Sequence, residues 1–335
     1  MTEKTETGAI FRAFEQLRVL IVGDIMIDRY VHGAVSRISP EAPVPVVQLQ
    51  QIEDRVGGAA NVALNIKAMG ATPYLCSVAG SDANGAALMA LMAGYGLPSE
   101  GIVKSNTRTT TVKTRIIAQH QHLLRLDEED THDLSEQETE LLIEAINKLL
   151  DSTEIHVIIF QDYNKGVLTT PVIQSVMDEA VRRGIPTTVD PKNKNFWAYR
   201  QATLFKPNLK EIQQQVSFSV GPEAESLQRA ARYIREKLDN RYTLITLSDK
   251  GLFIENDGQH LLAPTHPRDI ADVCGAGDTV ISIASLAVAL SLSIEDTALL
   301  ANLAGGQVCE HVGVAPVDKQ QLLREFELVK SGSSY

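Results

Sequence analysis

The chain alternates between short apolar runs and longer amphipathic segments, a pattern typical of an α/β fold. Val19 to Gly23 is apolar throughout, as expected for a strand that is buried on both faces of a parallel sheet. From residue 134 onward, strand-like and helical segments alternate regularly, and polar residues follow each predicted strand. We therefore predict a doubly wound, mostly parallel sheet with helices on both faces.

The polar residues after these strands indicate where a ligand would bind. The carboxyl ends of parallel strands meet at one edge of a sheet, and open α/β sheets bind ligands there. The first strand runs into Asp24 and Asp28, so two carboxylates are expected at this edge. Asp28 is a candidate for contacts with substrate hydroxyls, and a capping role is its alternative. Later strands lead into segments 161–166, 190–192, 206–211 and 248–251.

Two segments of the N-terminal half do not follow the βα alternation. Residues 29–56 are extended and rich in proline, and residues 107–127 alternate like a β-hairpin. We predict that they form a small sheet, a β lid over the cleft, within a single domain of residues 1–335. His120 and His122 are interpreted as exposed turn residues, with metal binding as the less favoured alternative.

The segment from Asp272 to Thr279 reads DVCGAGDT and precedes a long apolar run. Small residues allow a ligand to approach the backbone, and the first amides of a helix form a natural anion site. A carboxylate there would repel a phosphate unless it has a chemical role, so Asp278 is a candidate base for an attacking hydroxyl. The amides of Gly275, Ala276 and Gly277 would hold a transferring phosphoryl group. The alternative is an ordinary helix start with an acidic first turn.

Composition narrows the possible partners. The 335 residues carry a net charge of −11, which argues against nucleic acid as the main partner. None of Cys76, Cys274 and Cys309 pairs at metal-ligand spacing, which suits a reducing cytoplasm. The N-terminus does not resemble a signal peptide, and no apolar run is long enough to span a membrane. We expect a cytoplasmic protein without a membrane partner.

Several common motifs are missing from the sequence. It contains no phosphate-binding P-loop, no protein-kinase His-Arg-Asp set and no nucleophile elbow in a strand–helix setting. No Gly-x-Gly-x-x-Gly follows a strand, which disfavours a dinucleotide-dependent oxidoreductase.

Two signatures resemble those of the ribokinase/PfkB sugar kinases. The first is Gly57-Gly58-Ala59-Ala60-Asn61-Val62-Ala63, and the second spans residues 272–285. The resemblance covers about residues 17–325 and implies a ribokinase-like fold and an ATP- and Mg²⁺-dependent sugar kinase. Ile283 departs from the signature, which has Ala or Gly there. Cys274 stands where many members carry Thr, and this difference would alter a neighbouring monovalent-cation site seen in some relatives. The resemblance makes K⁺ a candidate cofactor.

Within this family, further segments resemble D-glycero-β-D-manno-heptose-7-phosphate kinases. These segments are 36–47, 124–127, 162–166, 190–192 and 207–211. Such enzymes phosphorylate the sugar C1 hydroxyl on the route to ADP-heptose for the lipopolysaccharide core. Some carry a fused nucleotidyltransferase domain, and because this chain ends at Tyr335, that second activity is expected to be absent. The alternatives are a kinase of fructose, fructose 6-phosphate, ribose or a nucleoside, and a non-catalytic sugar- or nucleotide-binding protein.

The resemblance also implies roles for individual residues. The catalytic base and its anion hole correspond to Asp278 and to Gly275, Ala276 and Gly277. The nucleotide would meet Asn208, Leu209, Lys210, Glu211, Ser248, Asp249, Gly251 and Asn302, with Mg²⁺ at Glu211. Sugar hydroxyls would meet Asp28, Gly57, Gly58 and Asn61. The candidate cations for a sugar phosphate are Arg37, Lys113, Arg115, Arg125 and Lys165.

The edge strand of the predicted lid suggests that two copies of the chain associate. Val44 to Val47 is rich in Val and Pro, and an exposed apolar edge strand needs to be covered. We predict a homodimer in which the lids pair.

Overall fold

The computed structural model describes residues 3–119, 121–266 and 268–332, with side chains from residue 7 onward. Within these ranges the chain forms a nine-stranded main sheet, a separate four-stranded small sheet and flanking helices. His120, one of the two predicted turn histidines, lies outside the described residues. None of the described helices is long and apolar enough to cross a membrane.

The elements follow one another in βα order over most of the chain. The strands are β1 (Arg18–Gly23), β2 (Ile25–Ile38), β3 (Pro45–Gly58), β4 (Thr72–Gly80), β5 (Gly101–Ser105), β6 (Val112–Ala118), β7 (Gln121–Glu128), β8 (Val157–Gln161), β9 (Thr187–Asp190), β10 (Leu204–Phe205), β11 (Tyr242–Thr246), β12 (Leu252–Asn256) and β13 (Gln259–Ala263). The helices are α1 (Glu3–Phe14), α2 (Ala59–Ala68), α3 (Ala83–Gly94), α4 (Glu136–Ser152), α5 (Thr170–Arg183), α6 (Leu209–Gln215), α7 (Ala224–Leu238), α8 (Ala276–Ala289), α9 (Ile294–Val308) and α10 (Lys319–Lys330).

The main sheet has the order β13-β12-β11-β10-β9-β8-β1-β4-β5. Seven strands of this sheet run parallel, namely β5, β4, β1, β8, β9, β10 and β11. β12 and β13 complete the sheet as an antiparallel hairpin. Alternate residues of β1 enter two different cores, Val19 and Ile21 on one face and Leu20 and Val22 on the other. Because both faces are covered, β1 is apolar from Val19 to Gly23 and β8 is apolar from Val157 to Phe160. The predicted doubly wound sheet with helices on both faces is confirmed.

The small sheet has the order β3-β2-β6-β7. Its strands β2 and β3 form a long hairpin, while β2 and β6 pair in parallel. Pro45 opens β3 at the edge of this sheet, where the missing amide does not break a ladder. β2 begins at Ile25, directly after β1, and it carries the chain from the main sheet to the small one.

Three details differ from the predicted elements. Asp28 does not follow β1 but lies within β2, because the chain leaves the main sheet after Gly23. Residues 109–111 do not belong to the hairpin strand, which starts at Val112. The helix α6 was not predicted, although Asn208 and Glu211 form a capping box at its start.

Candidate active site

The turn before α8 is held by one carboxylate. Asp272 Oδ1 accepts the backbone N–H groups of Val273 at 2.7 Å and Cys274 at 3.2 Å, and Oδ2 accepts that of Gly313 at 2.9 Å. Gly275 then adopts a left-handed conformation with φ 79°, which glycine adopts without strain. The turn therefore places the first amides of α8, which have no partner within the helix, at a defined position.

Asp278 lies in the first turn of α8 and is only 4% exposed. Its Oδ1 accepts the Tyr163 hydroxyl at 2.6 Å and the Gln161 amide at 3.1 Å. Its Oδ2 accepts the Asn61 amide at 2.7 Å. The Asp278 carboxylate of α8 thus accepts hydrogen bonds from α2, from the end of β8 and from the turn after β8, which are far apart in the sequence. Glycine at position 275 leaves room for this arrangement, because a Cβ there would lie only 3.1 Å from Asn61 Nδ2.

Burial raises the pKa of Asp278 to about 6. The hydrogen bonds from Asn61 and Tyr163 oppose this shift, since they stabilise the charged form. The carboxyl group is thus ionised near neutral pH, and its pKa is closer to that pH than that of an ordinary aspartate. This combination is what a general base requires.

A buried ion pair lies beside Asp278. Lys206 Nζ lies 3.0 Å from Asp190 Oδ1, and both side chains are nearly inaccessible. Gln161 connects the pair to the base, because its amide also donates to Asp190 Oδ2 at 3.1 Å. A Cβ at Gly277 would lie 3.8 Å from Lys206 Nζ, so this cation adjoins the start of α8. The positive charge favours an anion at that helix end.

Asp24 organises the turn that follows β8. Its Oδ2 accepts the backbone N–H groups of Tyr163 at 2.8 Å and Lys165 at 3.1 Å, and its Oδ1 accepts that of Val167 at 3.1 Å. Burial, together with the nearby Asp24, raises the pKa of the neighbouring Asp162 to about 7. The three amides fix the path of this turn and with it the position of the Tyr163 ring.

On the small-sheet side, Asp28 is buried and forms an ion pair with Arg115. Glycine is required at Gly57, since a Cβ there would collide with Asp28 Oδ2. Lys113 Nζ lies 5.0 Å from the centre of the Tyr163 ring. Asp28 and Lys113 are paired across β2 and β6, so they lie side by side on one face of the small sheet.

The remaining predicted sugar contacts are spread more widely. Gly58 precedes α2, the helix that carries Asn61. Lys165 pairs with Glu129 at 2.6 Å. Arg125 is exposed and pairs with Asp127 at 2.9 Å. Arg37 is exposed near the end of β2, and the contacts of the structure do not bring it together with Asp278.

The predicted nucleotide segment 208–211 forms the start of α6. Asn208 Oδ1 accepts the Glu211 N–H at 2.9 Å, and Glu211 Oε2 accepts the Asn208 N–H at 2.8 Å. Glu211 Oε1 pairs with Lys192, whose Nζ also lies 5.8 Å from the centre of the Tyr163 ring. Leu209 is partly buried and Lys210 is exposed. Glu211 is therefore connected to the neighbourhood of the base through one lysine.

The other predicted nucleotide residues gather around residues 263–265. Asn302 Nδ2 donates to the Pro264 carbonyl at 2.7 Å, and the Thr265 hydroxyl donates to the Asp249 carbonyl at 2.7 Å. Ser248 and Asp249 form a single 3₁₀ turn that Gly251 follows. These residues are brought together with one another, but no contact joins them to Asp278.

Four residues at the centre of the site were not predicted as site residues: Gln161, Tyr163, Asp190 and Lys206. Their signal was present, since all lie in the polar segments that follow predicted strands. Such segments are polar in most proteins, so the pattern did not distinguish these side chains from ordinary loop residues.

Solved structures of other proteins share the fold of this chain. Phosphofructokinase-2 from Escherichia coli in complex with potassium superposes with a TM-score of 0.78 at 18% identity, covering 94% of this chain and 99% of that chain. Ribokinase from Arabidopsis thaliana complexed with ribose and ATP superposes with a TM-score of 0.72 at 16% identity, covering 93% and 99%. At this level of identity the likeness concerns the fold, which is ribokinase-like.

The sequence comparisons specify the family. The model of the pfkB family carbohydrate kinases matches residues 16–320, so the chain belongs to this family. The bifunctional protein HldE of Geotalea uraniireducens is 38% identical over 97% of this chain and 66% of its own length. The bifunctional protein HldE of Pseudomonas savastanoi pv. phaseolicola is 41% identical over 94% of this chain and 64% of its own. The chain thus spans just under two thirds of the length of these curated relatives.

Proposed function

We propose that this protein transfers the γ-phosphoryl group of ATP to the C1 hydroxyl of D-glycero-β-D-manno-heptose 7-phosphate. The observation that carries the proposal is the buried Asp278 in the first turn of α8, beside amides without intrahelical partners. A base and an anion site at one helix start are what phosphoryl transfer to a hydroxyl requires. The similarity to HldE proteins and the motifs shared with heptose-7-phosphate kinases support the acceptor.

In this mechanism the protein mainly positions and neutralises the reacting groups. Asp278 removes the proton of the sugar hydroxyl as its oxygen attacks the γ-phosphorus in line with the leaving ADP. The amides of Gly275, Ala276 and Gly277 hold the charge of the transferring group, and Lys206 adds a buried positive charge next to them. Closure of the small sheet over the sugar would exclude water as a competing acceptor.

The residues near α6 could hold Mg²⁺ and ATP if Glu211 is released from its ion pair with Lys192. Mg²⁺ often takes one or two carboxylates and completes its shell with phosphate oxygens and water. The described residues contain no group of three acidic, His or Cys side chains that could hold a metal alone. Glu211 would therefore supply a single ligand, and Lys192 would exchange that carboxylate for a phosphate oxygen. When bound, Mg²⁺ neutralises the phosphate charge during transfer.

Lys113 is the strongest candidate for holding the sugar phosphate. Arg115, Arg125 and Lys165 each pair with a carboxylate, and Arg37 is exposed near the end of β2. Lys113 lies beside Asp28 and near the Tyr163 ring, and it makes no salt bridge among the described residues. Burial lowers the pKa of Lys113, with Asp28 opposing that shift, so a phosphate would stabilise its charged form. Asp28 and Asn61 would contact the sugar hydroxyls.

The acceptor is tested by measuring ADP release with ATP and Mg²⁺ against four sugars and one nucleoside. The panel is heptose 7-phosphate, fructose 6-phosphate, fructose, ribose and adenosine. Strong turnover on heptose 7-phosphate alone supports the proposal. Turnover on another compound instead would support the kinase function but show that the proposed acceptor is wrong. Binding of ATP without turnover on any sugar would favour the non-catalytic alternative.

We also propose that two copies associate through the small sheet. An apolar row crosses its four strands, because Val31 pairs with Ile52 and Ile116, and Ile116 pairs with Leu124. Ile52 and Leu124 are 55% and 53% exposed. Paired residues lie on the same face of a sheet, so these side chains form one surface, and a second copy would cover it.

The expected result is a dimer by light scattering at micromolar concentration. The double substitution Ile52→Lys with Leu124→Lys should convert it to a monomer, because it places charges in the contact. Leu141→Lys, on the exposed side of α4, is the matched control and should leave the mass unchanged. A monomeric wild type would contradict the proposal.

A further inference from the structure

The two oxygens of the Asp278 carboxylate have unequal surroundings. Oδ1 accepts two hydrogen bonds, from the Tyr163 hydroxyl and the Gln161 amide. Oδ2 accepts one, from Asn61. A carboxylate oxygen has about two lone-pair sites. Oδ1 is therefore fully occupied, while Oδ2 keeps one site for a further donor.

We propose that Tyr163 is a positioning residue that, together with Gln161, occupies Oδ1 and leaves Oδ2 of Asp278 to receive the substrate proton. The inference rests on the proposed kinase function. In the reaction, the sugar O–H bond breaks and its proton goes to Oδ2. The sugar oxygen forms a bond to the γ-phosphorus, and the bond from that phosphorus to the bridging oxygen of ADP breaks.

The backbone that carries Tyr163 is held in place, and this restricts where its hydroxyl can lie. Asp24 accepts hydrogen bonds from three amides of the turn that carries Tyr163, and Asp24 itself follows β1, an interior strand of the main sheet. Lys113 and Lys192 lie near the aromatic ring, at 5.0 and 5.8 Å from its centre. A ring that is fixed at the backbone and contacted by two cations can hold the carboxylate in one orientation.

Tyr163 remains a donor over the working range of pH. Burial, followed by the negative charge of Asp278, raises its pKa well above the ordinary value. The other ionisable groups near Asp278 or the Tyr163 ring come from several elements: Asp28, Lys113, Asp190, Lys192 and Lys206. Of these, Asp190 raises the pKa of Asp278 and Lys206 lowers it. These groups are unchanged when only the Tyr163 hydroxyl is removed.

Tyr163→Phe keeps the ring and removes the hydroxyl, so it tests this role directly. Loss of a hydrogen bond to the charged carboxylate should raise the pKa of Asp278 by about one to two units. The pKa is measured in the free enzyme by ¹³C NMR of the aspartate carboxyl carbons, with the Asp278 signal assigned by its loss in Asp278→Asn. This measurement needs neither substrate nor turnover, so it remains informative if the proposed acceptor is wrong.

The pH profile of kcat/KM provides the second measurement. In Tyr163→Phe the acidic limb should move upward, so that activity falls about tenfold at pH 6 but less than about threefold at pH 8.5. A merely structural role would lower activity by the same factor at every pH. An unchanged Asp278 pKa in a folded Tyr163→Phe variant would overturn the proposal.

Tyr199→Phe is the matched control. The Tyr199 hydroxyl also donates to a buried carboxylate, Asp162 Oδ2 at 2.9 Å, but it is not among the donors that hold the Asp278 carboxylate. Its removal should leave the Asp278 signal in place. Gln161→Leu, which removes the other Oδ1 donor, should shift the Asp278 pKa in the same direction as Tyr163→Phe and so tests the proposal if the phenylalanine variant does not fold.

Discussion

Replacing Asp278 with asparagine is expected to lower the turnover of phosphoryl transfer by at least about 100-fold while leaving the fold intact. The amide has nearly the same shape as the carboxylate, but it cannot accept the hydroxyl proton. ADP release with the best sugar of the panel measures the effect, and circular dichroism and ATP binding verify the fold. The effect should appear mainly in kcat, because the proton moves only during the reaction.

The control for this variant distinguishes the two interpretations of Asp278, as a catalytic base and as a favourable charge at the start of a helix. Asp296 lies in the first turn of α9, as Asp278 does in α8, but outside the site. Asp296→Asn makes the same chemical change at an equivalent helix position and should leave turnover nearly unchanged. If Asp278→Asn costs no more activity than Asp296→Asn, the assignment of the base is wrong and the helix-charge interpretation applies.

Replacing Lys206 with methionine is expected to lower the free energy of unfolding by about 3–5 kcal/mol. The substitution leaves Asp190 buried and without its cation, whose side chain is only 3% exposed. Denaturant unfolding measures the loss. The pKa of Asp278 should also rise, since Lys206 lowers it. The acidic limb of the activity would then move to higher pH.

Two further variants test whether the cost comes from the unpaired charge. Lys206→Met combined with Asp190→Asn removes both charges and should recover at least half of the lost stability. Lys194→Met removes one partner of the exposed pair with Asp133 and should cost less than about 1 kcal/mol. If Lys206→Met and Lys194→Met lower the free energy of unfolding equally, burial of the Lys206–Asp190 pair does not increase the cost of breaking it.

The local pattern predicted much of the scaffold correctly. α8 starts at Ala276, one residue after a left-handed Gly275, as the run of small residues before an apolar stretch indicated. α5 ends at Arg183, and the glycine that follows, Gly184, adopts the left-handed conformation typical of a helix end. These features depend on neighbouring residues, so short-range physical chemistry is sufficient to find them.

Asp28 shows where the local pattern was insufficient. Its position after an apolar strand suggested the edge of the main sheet, yet the chain continues without a turn into β2 of the small sheet. Two extended segments in succession look the same in the sequence whether they share one sheet or two. Pairing decides between them, and the partners of β2 are β3 and β6.

The sequence by itself determined that this protein is a doubly wound α/β chain with polar strand ends and an acidic residue at a glycine-rich helix start. Periodicity, capping and the two signatures are local, and they identified Asp278. Only the tertiary structure decided what surrounds that carboxylate. Tyr163 and Asp278 are 115 positions apart, and Asn61 and Asp278 are 217 apart. No local pattern specifies such contacts, because they arise from the order of the strands and the packing of α2 and α8 against them.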